Sequence, residues 1–282
     1  MQQESNGCRA EAGLPSSVGL TIIPVMTTPS TTGLDAGAPS ALPRSILVTG
    51  ASGGIGQAVS RAFGRAGLHV GIHYHHGKAS AESVLRDIER AGGTGALYQA
   101  DVRDAQSVEQ MVSLFSRDSP RPVTFVCATG VGSGQVLVKL RADEWNDVIT
   151  TNLTGLFHSL RVMAPPLQVQ RGGSIVVVGS YAGYQGSAGQ AAYAASKAGV
   201  IGLVKTAALE WGPDDIRVNL IWPGWQRTPL AEDAFPRQVE WRDHALRRPP
   251  ALDEVVRTVL HLVQVKDVSG QVWNCDSRPL FL

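Results

Sequence analysis

Cysteine is scarce in this 282-residue chain, with three residues far apart at Cys8, Cys127 and Cys275. An odd, dispersed set excludes a disulfide framework and a cysteine-spaced zinc site, and it fits a reducing cytoplasm. Excess charge is also missing: the formal net charge is +1 with histidine neutral. Without a basic stripe or an array of aromatic and arginine residues, no nucleic-acid partner is expected. Long apolar runs are lacking as well. The stretch Val18 to Met26 is broken by Thr21 and Pro24 and is too short for a bilayer span, so no membrane partner is expected. It has only Arg9 against Glu4 and Glu11 and no convincing cleavage site, unlike a secretory signal, and so little positive charge argues against a transit peptide. There is no internal repeat.

The first 44 residues are rich in serine, threonine, glycine and proline without a sustained period, which predicts a disordered extension over 1–44. Met26 is an alternative start. From Ser45 onward about 240 residues remain, enough for one α/β domain over 45–282.

Two segments of that domain carry chemistry. The first is Thr49-Gly50-Ala51-Ser52-Gly53-Gly54-Ile55-Gly56, which follows the apolar run Ser45 to Val48 and precedes helical spacing over Gln57 to Arg65. A strand, a tight turn and a helix in that order aim backbone N–H groups and the positive helix end at a pyrophosphate, and glycine lets the phosphates approach. An ordinary glycine-rich loop is the bland alternative for such a motif taken alone. The second is Tyr193-Ala194-Ala195-Ser196-Lys197, inside an alanine-rich, proline-free stretch from Gly189 to Trp211 predicted as one helix. A spacing of four puts Tyr193 and Lys197 on one face, where the ammonium is expected to lower the phenol pKa from about 10 toward neutrality. Ser180 closes the apolar run from Ser174 to Val178, a predicted buried strand, at the carboxyl end of the sheet.

Strands at 68–74, 95–100, 122–127, 216–222 and 271–275 alternate with helices near 79–91, 105–115, from 142, and 252–264. This order predicts a Rossmann-like doubly wound parallel sheet with helices on both faces. Pro165-Pro166 is predicted to end or kink the helix that opens near Ala142.

On these residues the sequence resembles the short-chain dehydrogenases/reductases, from about Ser45 to the C-terminus. The family pattern falls on Thr49, Gly50, Gly54 and Gly56, and on Tyr193 and Lys197, with the family's serine on Ser180 and its asparagine on Asn152. Pro223-Gly224 followed by Thr228 resembles the segment that closes over the nicotinamide carboxamide, and Asp101-Val102 the pair beside the adenine. The resemblance implies a keto-group oxidoreductase in which Tyr193 donates the proton. It also implies that Lys197 holds the ribose and acidifies the phenol, Ser180 polarises the carbonyl and Asn152 binds a relay water. The implied cofactor site comprises Gly50, Ser52, Gly53, Gly54, Ile55, Gly56, Tyr74, His75, His76, Asp101, Val102, Gly130, Tyr193, Lys197, Pro223, Gly224 and Thr228. It also implies a homotetramer or dimer, built on the helices carrying Trp145 to Met163 and Val200 to Trp211.

Two segments depart from the family pattern. Cys127-Ala128-Thr129-Gly130 replaces a common Asn-Asn-Ala-Gly, which bears on the loop beside the cofactor rather than on the chemical step. Cys275-Asp276-Ser277-Arg278 replaces a common Asp-Gly-Gly, a change the sequence leaves without a mechanistic account.

Cofactor choice turns on the end of the second strand. An aspartate there would accept bonds from the NAD ribose, but this chain has Tyr74, then His75, His76 and Lys78, which favours NADP(H) over NAD(H). Gly53, where related NADP enzymes often carry arginine, points the other way. Although His73 and His75 alternate onto one strand face, they lack a carboxylate or cysteine at ligand spacing, and no metal is expected.

The expected substrate is a small keto or hydroxy compound, free or carried on a protein. Val136 to Trp145 most resembles 3-oxoacyl-[acyl-carrier-protein] reductases, and Arg171 coincides with a basic residue facing the acidic carrier. A solvated loop cation is an equal reading of Arg171, and Asp214 would repel such a partner. Trp225 to Arg248 is predicted to form a lid, with Trp225, Leu230, Phe235 and Trp241 giving it apolar surface, and Tyr181, Tyr184 and Gln185 are further contact candidates. An alcohol or polyol dehydrogenase and a dinucleotide-binding sensor without turnover are the competing readings.

Overall fold

Strand β1 (Ser45–Thr49) is buried at every position, as its β-branched and apolar residues require of a central parallel strand. The computed structural model describes residues 43–132, 134–228, 231 and 241–280. The predicted extension up to residue 42, and Leu230 and Phe235 of the predicted lid, lie outside the described residues.

Seven strands form one parallel sheet in the order β3-β2-β1-β4-β5-β6-β7. The others are β2 (His69–Tyr74), β3 (Thr94–Gln99), β4 (Val123–Cys127), β5 (Gly173–Val178), β6 (Ile216–Trp222) and β7 (Val272–Asn274). The order reverses between β1 and β4, and a doubly wound sheet opens its ligand crevice at that point.

Each face of the sheet has its own core. On one, α1 (Gly54–Arg65), α2 (Lys78–Arg90) and the last helix, α8 (Leu252–Gln264), supply Val59, Phe63, Val84, Ile88, Val259 and Leu262. On the other, α3 (Ala105–Asp118), α5 (Gly155–Val169) and α7 (Ala191–Trp211) supply Phe115, Met163, Leu167, Val200 and Val204. Each such side chain, fully buried, contributes about 1.5–3 kcal/mol, so the helices hold both faces and leave the carboxyl ends of the strands open.

Two local expectations are corrected. The helix opening at α4 (Ala142–Ile149) does not end at the prolines, since α5 runs through Pro165 and Pro166 to Val169. Only one turn follows them, and it is held by the buried Leu167 and by Gln170 N–H donating to Pro166 O at 3.3 Å. Tertiary burial thus outweighs the missing N–H groups. The irregularity lies earlier, in a π turn at Thr150–Thr154 that joins α4 to α5 and carries Asn152. Such insertions are frequent at functional sites. The strand before Ser180 ends at Val178, two residues short of the expected end, and Ser180 Oγ accepts from Ala182 N–H at 3.2 Å as the chain turns into the short helix α6 (Ala182–Gln185).

Candidate active site

The glycine turn leaves β1 at the switch point. Gly50 has φ +67°, and a Cβ there would meet the Ala128 backbone at 2.8 Å, so the turn lies flat against the loop that follows β4. A Cβ on Gly56 would strike the Gly50 carbonyl, and one on Gly54 would lie 2.8 Å from Thr228 Cβ. The first turn of α1 therefore presents its N–H groups in a cradle that only glycine leaves open. Ser52, Gly53 and Ile55 complete it, Gly53 being its most exposed member.

Beside this cradle opens a cleft of about 360 Å³. Ile55, Gly130, Ser180, Tyr193, Lys197, Pro223, Gly224 and Thr228 all line it. Thr129 lines it too, and its buried hydroxyl has no hydrogen-bond partner among the described residues. The open cradle, this orphaned hydroxyl and Lys197 fit a dinucleotide with its nicotinamide end in the cleft.

Tyr193 faces Ser180 across the gap between α7 and the end of β5, both in the cleft wall. Gly183 permits that closeness, since a Cβ on it would lie 2.5 Å from the Lys197 carbonyl carbon. The Lys197 ammonium is buried, donates to Val178 O at 3.0 Å and stands 5.7 Å from the centre of the Tyr193 ring. The expected acidification of the phenol is not found. Burial raises the Tyr193 pKa, the Ser180 hydrogen bond opposes it only in part, and Lys197 is turned to a backbone carbonyl instead. Burial also lowers Lys197 to about 8. At neutral pH the pair is thus a protonated phenol beside an ammonium that releases its proton readily.

Asn152 does not line the large cleft. Its amide donates to Val131 O at 2.8 Å and to Ser196 Oγ at 3.1 Å, while its oxygen accepts from Val131 N–H at 2.8 Å. It ties the loop after β4 to α7, and this supports the loop that lacks the family's usual asparagines.

The rim toward the adenosine side is built differently from expectation at one residue. Tyr74 is 7% exposed and packs in the core between the sheet and α1 and α2, so its ring is not presented to a ribose. Beside it stand His75 and His76, whose rings lie 3.6 Å apart. His75 Nε2 is 3.7 Å from Asp101. Hydrogen bonds from Arg103 hold the Asp101 carboxyl down at about 2, and Val102 packs under Gly155.

Three residues escaped the sequence reading. His73 is 2% exposed, and its Nδ1 accepts from Gly50 N–H at 3.0 Å while its Nε2 lies 3.1 Å from Ala100 O. Arg278 stacks 3.8 Å above the centre of the Tyr181 ring and lines the cleft. Its Nε donates at 2.8 Å to Asp276, whose side chain is fully enclosed beneath Gly224. The replaced Asp-Gly-Gly thus puts a cation and its counter-ion at the cleft wall. Only the departure itself signalled it. Of the other expected contacts, Gln185 and Trp225 line the cleft, whereas Tyr184 turns to Trp222 at 5.4 Å and Trp241 to His244 at 5.0 Å.

Burial depresses His73 to about 4 against its ordinary 6.5, the Ala100 hydrogen bond and Asp101 opposing this and His75 adding to it. Between those values the unfolded chain binds the proton more readily, so stability falls as the pH drops from 6.5 toward 4. The loss reaches about 3 kcal/mol at most. Urea melts of the protein and its His73→Asn variant at pH 7 and pH 5 check this, and the variant should lose less than the parent. Equal acid losses would contradict it.

A doubly wound sheet with a serine, tyrosine and lysine gathered beside a glycine cradle defines a nicotinamide-dependent oxidoreductase of keto or hydroxyl groups. The family model described as short chain dehydrogenase matches residues 44–239, and the chain belongs to that family. It is 33% identical to the 3-oxoacyl-[acyl-carrier-protein] reductase of Staphylococcus epidermidis over 81% of this chain and 95% of the relative. It is 35% identical to that of Thermotoga maritima over 82% and 95%. Among solved structures, a short-chain type dehydrogenase/reductase from Mycobacterium ulcerans superposes with a TM-score of 0.77 at 25% identity, covering 82% of this chain and 87% of the other. No helix among the described residues is long and apolar enough to cross a membrane.

Proposed function

We propose that this protein is an NADP(H)-dependent reductase of a keto group, acting on a 3-oxoacyl thioester or a related hydrophobic ketone. The observation that carries the reading is the gathering of Ser180, Tyr193 and Lys197 in the wall of one cleft that Ile55 of the glycine turn also lines. A bound nicotinamide supplies the hydride. Tyr193, with its proton held on by burial, gives that proton to the substrate oxygen, which suits reduction at neutral pH. Ser180 donates to the same oxygen as negative charge develops on it. Lys197, lowered to about 8, restores the phenol proton and binds the ribose hydroxyls, while Asn152 keeps Val131 and Ser196 in place around it.

The preference for NADP(H) is supported by the absence of an acid at the end of β2 and by His75 and His76 at the rim, with the Asp101 carboxylate already engaged by Arg103. The substrate class is supported by the names of the relatives and by Tyr181 and Trp225 in the cleft wall. A homodimer or homotetramer completes the reading. Trp145, Phe157 and Leu209, the last 81% exposed, stand on the helices expected to pair.

Oxidation of NADPH and NADH by the purified protein, measured against acetoacetyl thioesters and a panel of ketones, tests this. NADPH-linked turnover of the thioester is the expected outcome. Turnover with NADH and sugars alone would replace it with a polyol dehydrogenase, and cofactor binding with no turnover across the panel would leave a sensor.

A further inference from the structure

We propose that His73 is a positioning residue for the dinucleotide, and that its neutral Nε2–H imidazole clamps the glycine turn to the strand that carries the adenine-side residues. The inference rests on the cofactor reading above. One residue holds two consecutive amides of the turn: Gly50 N–H donates to His73 Nδ1 at 3.0 Å, and Ala51 N–H donates to His73 O at 3.0 Å. Because Nδ1 accepts, the ring proton sits on Nε2, where it is donated to Ala100 O at 3.1 Å. Ala100 directly precedes Asp101 and Val102, so a single ring spans from the pyrophosphate cradle to the adenine rim.

The chemistry excludes the other two protonation forms. A ring protonated on Nδ1, alone or as imidazolium, would set an N–H against the Gly50 N–H and leave that buried amide without an acceptor. His75 and Asp101 are the titratable groups that face His73, with opposite effects on its charge, and Arg103 neutralises much of the second. Gly50 is the turn residue with positive φ that touches the loop after β4, so its orientation sets where the α1 N–H groups point.

Three substitutions separate the two ring contacts. His73→Asn puts its oxygen where Nδ1 lies and keeps the acceptor for Gly50. His73→Gln reaches toward Ala100 but leaves Gly50 unserved. His73→Leu removes both. In the full-length protein, NADPH affinity by fluorescence titration is expected to stay within about threefold in the asparagine variant and to fall about tenfold or more in the other two. KM for NADPH should rise in parallel, with kcat at saturating cofactor nearly unchanged. Long-range proton–nitrogen NMR of the unsubstituted protein at pH 7 reads the tautomer without any variant, and is expected to show Nε2 protonated and Nδ1 bare.

A ring protonated on Nδ1 would overturn the proposal, as would folded glutamine and leucine variants that bind NADPH like the parent. An equal loss in all three variants would assign His73 a packing role only and overturn it as well. Failure of the unsubstituted protein to bind either NADPH or NADH would instead bring down the cofactor reading, and this inference with it.

Discussion

Tyr193→Phe is expected to lower the rate of NADPH-linked reduction by about a thousandfold, within the range lost when a positioned proton donor is removed. NADPH affinity should stay nearly unchanged. The substitution takes away only the hydroxyl that faces Ser180 and leaves the ring in place on α7. No other group replaces it, because Lys197 is turned to Val178 O and Ser180 has no acidic proton at neutral pH. Steady-state rates with the best ketone or thioester, alongside fluorescence titration with NADPH, check both halves. A variant retaining more than about a tenth of the parent rate would remove Tyr193 from the proton-transfer step.

Gly56→Ala is expected to weaken NADPH binding by about a hundredfold, the loss of two charge-assisted hydrogen bonds from displaced amides. Its new Cβ would strike the Gly50 carbonyl and lie 2.8 Å from the Gly50 carbonyl carbon. Both are backbone atoms of a turn already pressed on Ala128, so the cradle itself must open. Gly53→Ala is the matched control: its Cβ would meet the same carbonyl only at 3.3 Å, with φ −92° that any residue accepts, and its effect should be small. Calorimetric titration with NADPH distinguishes them. Equal affinities in the two variants would show that the turn does not need its tight approach.

Much of this was legible in advance because it is local. The turn from Thr49 to Gly56, the four-residue spacing of Tyr193 and Lys197, and the alternation of strands with helices each depend on contacts within a few residues along the chain. Where tertiary packing opposed local preference, the reading failed. Local rules put an end or a kink at Pro165 and Pro166, and the end is not found: the last turn of α5 persists over the buried Leu167. Nothing in Thr150 to Thr154 marks a π turn. The end of its strand puts Tyr74 where a ribose contact is expected, while the side-chain alternation of β2 points it into the core.

The sequence by itself determined the fold class and the family and named the candidate catalytic set, since turn chemistry and helical spacing are properties of short segments. Only the tertiary structure decided the ionisation of that set, keeping the proton on Tyr193 and loosening it on Lys197, because desolvation depends on everything packed around a group. It also decided which distant residues serve the site: His73 reaches Gly50 and Ala100 through the pairing of β2 between β1 and β3, and Arg278 reaches Tyr181 beyond the end of β7. Those partners meet through sheet order and burial, which no local pattern encodes.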